Sequence, residues 1–298
     1  MDLDLEQDEV FENIISFDSR FNYEKLPTNN KFKSEVYLVS SSKFDDKYVY
    51  KIFSRGKKEY ELIKKVILEL NVNKYSTPIL YYYKYDDLSA KVHFIFEYIV
   101  SDQKFDINDK SHLDNFFNLL IDFYNLTGQL SGENRNDYII SKIKKVEKCL
   151  SEDYLNRKVF EFIKKDLKEL MGENRVILRD INPTNILISK GNFYLIDFDE
   201  VAFGEIECDL ADIYLNFTLA KSVLENIGFL SELKLRLESK LDFSKNLNSD
   251  KIIYYLILIL YHEIFFIFET NSQKLFNLKK IKFFFENREF LSKKINSI

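Results

Sequence analysis

The residues with chemical potential in this chain are concentrated in one stretch, Val176 to Glu200, which reads V-I-L-R-D-I-N-P-T-N-I-L-I-S-K-G-N-F-Y-L-I-D-F-D-E. Asp180 stands five positions before Asn185, in a polar loop that also holds Pro183. Two apolar runs follow, Ile186–Ser189 and Phe193–Phe198, on either side of the short turn Lys190-Gly191-Asn192. The second run ends in Ile196-Asp197-Phe198-Asp199. Phosphoryl transfer uses this set of groups: one carboxylate orients the attacking hydroxyl and accepts its proton, while an amide oxygen and a second carboxylate hold Mg²⁺ against the triphosphate. Carboxylate and amide oxygens suit a hard cation. A hairpin at this spacing would fold Asp197 back beside the loop of Asp180 and Asn185. The plainer reading is an Asx-rich turn before a hairpin. Three features weigh against it: the apolar strand directly after the loop, the second strand ending in I-D-F, and Asp209 opening a helix in C-D-L-A-D-I.

This segment resembles the aminoglycoside phosphotransferase and choline kinase-type family, distant relatives of the protein kinases. The family signature is H-x-D-x-x-x-x-N, then I-D-[FWY]-[DEG], then a D-L-A helix. Here it reads L-R-D-I-N-P-T-N, I-D-F-D and D-L-A. The motifs cover residues 176–212, and the order of elements extends the likeness more loosely to residues 30–100. The resemblance implies an α+β, protein-kinase-like two-lobed fold. Residues 1–100 would form a small β-rich nucleotide-binding lobe, and residues 101–298 a larger, mainly helical lobe for catalysis and the acceptor. It makes Asp180 the catalytic aspartate and Asn185 and Asp197 the metal ligands, with Asp209 bracing the catalytic loop from behind. One departure stands out: Leu178 occupies the place of the family histidine.

The N-terminal half should supply groups for the nucleotide. Lys51, in Y-V-Y-K-I-F, is the candidate phosphate lysine, although strand lysines commonly face solvent. Glu59 falls on the apolar face of the next helix with Leu62, Ile63, Val66, Ile67 and Leu70. A carboxylate on such a face wants a partner, so a Lys51–Glu59 ion pair is expected. No G-x-G-x-x-G is present. Thr28–Tyr37 is where the family's phosphate loop falls; Ser34 and its neighbouring amides would serve there, or the segment is an ordinary turn. The backbone of Glu97 and Ile99, before the polar stretch Ser101–Lys110, would meet the base.

The surrounding elements follow from pattern. Strands are expected at Glu35–Ser40, Lys47–Phe53, Ile79–Tyr85, Val92–Ile99 and Val176–Leu178. Helices are expected at Lys57–Leu70, His112–Leu130, Tyr138–Leu150, Tyr154–Met171, Leu210–Leu224, Ile252–Phe268 and Leu278–Leu291. The segment Ile252–Phe268 is interrupted by His262 and Glu263 and is shorter than a membrane span of roughly 20 residues. It reads as a core helix. His262-Glu263 lacks the second histidine of H-E-x-x-H and reads as core rather than metal site.

The 298 residues carry a net charge of -5, which speaks against a nucleic-acid partner. Two isolated cysteines, Cys149 and Cys208, fit a reducing compartment. The acidic N-terminus has no basic and apolar leader pattern. A cytoplasmic protein without membrane attachment is the expectation. The 28 Phe and 19 Tyr with no Trp, among many Lys, Asn and Ile, look like AT-rich codon bias.

The resulting expectation is a kinase that uses Mg²⁺ and either ATP or GTP to phosphorylate a hydroxyl of a small metabolite or aminoglycoside-like acceptor. The alternative is a pseudokinase, a nucleotide-binding regulatory or scaffolding module without turnover, which Leu178 and the Gly-poor phosphate loop would favour. Protein substrates are disfavoured, because 11 residues between Asp197 and Asp209 leave little room for a peptide-docking segment. The acceptor and the oligomeric state are not specified by sequence. The acids Asp199, Glu200, Glu205, Glu207, Asp209 and Asp212 tilt the expectation towards a cationic acceptor, because the resemblance implies that this region borders the acceptor cleft and clustered carboxylates concentrate cations; the plainer reading is structural aspartates and a solvated loop.

Overall fold

The computed structural model describes residues 3–27, 34–41, 46–130, 158–159, 161–162, 175–218, 227–241, 247–266 and 271–297. They divide into two compact units. One comprises Met1–Phe105 with Asn185–Asp199, the other Asp106–Thr184 with Glu200–Ile298.

The first unit is built on a five-stranded antiparallel sheet. Its strands are β1 (Phe21–Lys25), β2 (Glu35–Ser41), β3 (Lys47–Ser54), β4 (Leu80–Asp86) and β5 (Lys91–Glu97), in the order β1-β2-β3-β5-β4. Alternation along β3 sorts its two faces. Tyr50 and Ile52 join Phe21, Val39 and Ile95 in a buried cluster with Phe11 and Ile14 of helix α1 (Leu3–Ile15). Phe53, on the opposite face, meets Phe94 at 5.6 Å between ring centroids, and Phe94 lies 6.2 Å from Tyr60 of α2 (Lys57–Val72). Lys51 has the parity of Phe53. Helix α2 buries Tyr60, Ile63, Val66, Ile67 and Leu70, a 3-3-1-3 stripe.

The hairpin of β7 (Ile186–Ser189) and β8 (Asn192–Leu195) belongs to this unit although it comes late in the chain. Backbone bonds bring it there: Asp102 N–H donates to Ile188 C=O at 2.9 Å, and Leu195 N–H to Ser76 C=O at 2.9 Å. Its turn needs two left-handed residues. Lys190 has φ +51° and Gly191 φ +76°, the two-residue hairpin geometry in which glycine is at ease.

The second unit contains α3 (Lys110–Thr127) and the short antiparallel pair β6 (Arg175–Ile177) and β9 (Ala202–Gly204). Helices α4 (Ile206–Phe217), α5 (Ile227–Lys240), α6 (Ser249–Phe266), α7 (Asn271–Glu286) and α8 (Arg288–Ile295) follow. Asp109 caps α3, its carboxylate accepting from the amides of Ser111 and His112. Helix α6 is the apolar segment of the membrane question, and its residues Ile252–Leu258 are buried in this unit. Among the described residues no helix is long and apolar enough to cross a membrane.

Several elements differ from the sequence expectation. Helix α1, strand β1 and helix α5 were not anticipated. The single helix expected over Leu278–Leu291 is two, α7 and α8, broken at Asn287. The helix expected at Tyr138–Leu150 lies outside the described residues. Of Tyr154–Met171 only residues 158–159 and 161–162 are described, and they are helical.

Candidate active site

In the first unit, strand β3 and the end of the β7–β8 hairpin converge on one ion cluster. Lys51 is buried, and its Nζ lies 2.7 Å from Asp197 Oδ1 and 2.7 Å from Asp199 Oδ2. Burial works against the ammonium, but the carboxylates of Asp199 and Asp197 outweigh it and shift the lysine upward, so it stays charged. Asp199 is also held through its backbone, whose C=O accepts from Arg55 Nε at 3.2 Å. Asp197 has φ +68°, a left-handed conformation that costs an L-residue about 1–3 kcal/mol and persists where neighbours impose it. Asn185 is buried, and its backbone C=O accepts the amide of Ile196 at 2.9 Å. That bond extends the β7–β8 ladder and sets Asn185 opposite the residue preceding Asp197.

Glu59 does not take the place expected of it. It is exposed in the first turn of α2, folded back over Gly56, where a Cβ would come within 2.3 Å of its Oε2. The partners of Lys51 are the two aspartates instead. Ser34 lies just before β2, and residues 28–33 of the proposed phosphate loop are outside the described set. The amide of Glu97 is engaged with the C=O of Ile79 at 2.9 Å, and its carboxylate accepts the amide of Ile79 at 3.3 Å. Ile99 stands two residues beyond β5.

In the second unit, α4 grips the loop that carries Asp180. Asp209, fully buried, accepts from the amides of Leu178 at 2.8 Å and Arg179 at 2.9 Å, and from the Tyr124 hydroxyl at 2.7 Å. Burial pushes its carboxyl above the usual range, while these three donors pull the other way. Asp212 accepts the amide of Ile181 at 3.0 Å, and Asn216 Nδ2 donates to the C=O of Ile181 at 2.9 Å. The side chain of Arg179 pairs with Glu200 at 3.1 Å. Between these holds, Arg179 and Asp180 both adopt left-handed conformations, φ +53° and +49°.

The bracing by Asp209 is the relation that the motif implies. Asp212 and Asn216 were missed, although Asp209, Asp212 and Asn216 recur at i, i+3 and i+7 and so share one helix face.

The acids that might have steered a cationic acceptor are engaged internally. Asp199 binds Lys51, Glu200 pairs with Arg179, and Asp209 and Asp212 hold loop amides. Glu205 accepts from Lys251 at 2.6 Å and Tyr255 at 2.8 Å, and Glu207 accepts the amide of Asn248 at 3.0 Å. They are structural partners, so the argument for a cationic acceptor loses its premise.

Among the described residues no group of three or more His, Cys, Asp and Glu could hold a metal by itself. Magnesium does not require one. It takes one or two carboxylates, completing its shell with phosphate oxygens and waters. The amide oxygen of Asn185 and the carboxylate of Asp197 fit that role as hard donors.

Residues 119–238, which carry Asp180, Asn185, Asp197 and Asp209, match the phosphotransferase enzyme family. No curated protein matches the chain significantly in sequence. Choline kinase LicA from Streptococcus pneumoniae superposes with a TM-score of 0.64 at 19% identity, over 94% of this chain and 98% of that one. Amicoumacin kinase hAmiN, solved with AMP-PNP, Ca²⁺ and Ami, gives 0.66 at 13% identity, over 99% and 96%. A choline/ethanolamine kinase family protein from Mesorhizobium loti gives 0.66 at 9% identity, over 97% and 98%. The α+β, protein-kinase-like fold is therefore that of this chain, and its segment 119–238 is similar in sequence to the phosphotransferase enzyme family.

Proposed function

We propose that this chain is a small-molecule kinase that transfers the γ-phosphoryl group of ATP or GTP to a hydroxyl of a small acceptor. The observation that carries the reading is the contact between Lys51 and Asp197, 146 positions apart in sequence and 2.7 Å apart in space. A buried lysine set against the aspartate of I-D-F-D is what a triphosphate site needs: a fixed cation for the phosphates beside a carboxylate for their metal. Asp180 is the residue that orients the acceptor hydroxyl and takes its proton. Asn185 and Asp197 are the ligands for a divalent cation, which when bound offsets the charge of the triphosphate. Ser34 and the backbone of Glu97 and Ile99 remain proposed nucleotide contacts. Glu59 is exposed, and the ion pairs of Lys51 are with Asp197 and Asp199, so this reading does not use it.

The solved relatives support the donor and acceptor classes by analogy. Two are named for kinases of choline and of amicoumacin, and one contains AMP-PNP with Ca²⁺. The fold does not choose among acceptors.

The test separates binding from turnover. A nucleoside triphosphate with Mg²⁺ should raise the melting temperature, by the equivalent of about 2.7 kcal/mol at a hundredfold excess over Kd. Asp197→Ala should abolish the Mg²⁺-dependent part of that shift. Asp180→Asn should keep the shift and lose phosphoryl transfer, followed with γ-labelled nucleotide and a metabolite pool. A wild type that binds nucleotide but phosphorylates nothing in the pool would instead be the scaffolding alternative.

A further inference from the structure

Two carboxylates hold Lys51, and they are not equivalent. The lysine stands on β3 between Val36 of β2 and Phe94 of β5, so its backbone is fixed from both sides. Its Nζ lies 2.7 Å from Asp197 and 2.7 Å from Asp199. The side chain of Asp197 is 38% exposed and that of Asp199 14%. Asp199 is the enclosed partner and Asp197 the open one.

Asp199 is also tied to the strand that carries the lysine. Its C=O accepts at 3.2 Å from Nε of Arg55, the residue directly after β3. The amide of Arg55 in turn donates to the C=O of Ala90 at 3.2 Å, just before β5. The holds on Asp199 therefore begin and end on the same pair of strands that fixes Lys51.

The two carboxylates face different demands. Asp197 is the proposed ligand of a divalent cation, and a cation there competes with the ammonium for one carboxylate and repels it. A second carboxylate that serves the lysine alone removes the conflict. Protein kinases meet this need with a glutamate from the helix after the strand. Here Glu59 of that helix is exposed, and the ion pairs of Lys51 are with the two aspartates.

We propose that Asp199 is the positioning residue of Lys51: it keeps the ammonium aimed at the phosphates, in place of a helix glutamate, and leaves Asp197 to the metal. This rests on the kinase reading of Lys51 and Asp197. Asp199 acts through the lysine and touches neither nucleotide nor metal.

The experiment uses the full chain as wild type, Asp197→Ala, Asp199→Ala, Lys51→Met and the double variant Lys51→Met/Asp199→Ala. The first readout is the Lys51 ammonium signal in the heteronuclear NMR spectrum of ligand-free, lysine-labelled protein, assigned by its absence in Lys51→Met. An enclosed, ion-paired ammonium exchanges protons with water slowly enough to be seen. The signal should persist in Asp197→Ala and vanish in Asp199→Ala. The second readout is kcat for acceptor-free hydrolysis of Mg·ATP or Mg·GTP, whichever is turned over. Asp199→Ala should lower it by about 10- to 100-fold, the cost of a misplaced group. In the Lys51→Met background the same substitution should change kcat by less than about twofold, because no lysine is left to position. The third is the Mg²⁺ concentration that gives half of the thermal shift with the same nucleotide. It should stay within about threefold of wild type in Asp199→Ala and rise more than about tenfold in Asp197→Ala.

An ammonium signal that survives Asp199→Ala would overturn the proposal, as would a loss of kcat that is undiminished in the absence of Lys51. A tenfold rise in the Mg²⁺ requirement of Asp199→Ala would make Asp199 a metal ligand and overturn it too. An unchanged kcat would show a merely structural ion pair. Should Asp199→Ala fail to fold, Lys51→Met against the double variant, which carries neither charge, still decides: equal kcat supports positioning and a further loss refutes it. A wild type without turnover whose Lys51 signal still depends on Asp199 would refute the kinase reading, and with it the positioning role, while leaving the ion pair in place.

Discussion

Leu178 occupies the position where the family signature carries a histidine, and its surroundings explain how the loop manages without one. The side chain is 2% exposed, and its amide is bound to Asp209 at 2.8 Å. The anchoring is thus done through the backbone, and the side chain is left to pack. Leu178→His would place a polar ring into an apolar site. The expected cost is about 1–3 kcal/mol, read from the midpoint of urea unfolding. An unchanged or raised midpoint would mean that the site holds a hydrogen-bond partner for imidazole. At this scale Asp180, Asn185, Asp197 and Lys51 stand out in the sequence by kind and spacing, and the structure brings Lys51 and Asp197 together. Glu59 misled because periodicity places it on the stripe of α2 but says nothing of position along the helix. In the first turn a carboxylate is favoured by the helix dipole and has no need of Lys51. Asp199, the actual second partner, was visible only as one acid among several.

Helix α1 shows what pattern reading misses at the level of elements. Its apolar residues Val10, Phe11, Ile14 and Ile15 do recur at helical spacing, but they occupy one short stretch after an acidic start. Only the sheet they cover makes them a core. Phe11 is 4% exposed, with its ring centroid 5.6 Å from that of Tyr48 and 5.8 Å from that of Tyr82. Glu12, one position on, is bonded by Lys84 Nζ at 2.8 Å and by the Tyr82 hydroxyl, so the helix is tied to β4 at its polar edge too. Phe11→Ala should therefore destabilise the first unit by about 3–5 kcal/mol, the range for deleting a buried ring. The measurement is chemical unfolding with a probe in that unit. A loss below about 1 kcal/mol would show that α1 lies on the sheet without contributing to its core. The break between α7 and α8 was illegible for a related reason. Asn287 is a weak stop signal, and the apolar pattern runs on through it.

Across the whole molecule the tyrosines set a pH limit. The chain has 19 of them, and the fold decides what they do. Tyr50, Tyr124, Tyr214, Tyr254 and Tyr255 are among the most deeply buried side chains of the described residues. Burial pushes the phenols of Tyr23 and Tyr60 up from 10.0 to about 12, and those of Tyr50, Tyr82, Tyr214 and Tyr255 further still. The consequence follows from linkage. In the unfolded chain these phenols ionise near pH 10, whereas in the folded chain they keep their protons. The unfolded state therefore binds fewer protons above pH 10, and stability falls as pH rises. The contribution is fully present below about pH 10 and is lost as pH climbs through 12. Urea unfolding between pH 8 and 12 should show a plateau and then a steep decline. Tyrosinate absorbance should rise in two stages, exposed phenols first and the buried class only as the chain unfolds. A single titration of every tyrosine near pH 10 with the fold intact would show that the buried phenols reach solvent, and the alkaline limit would then have to come from the lysines.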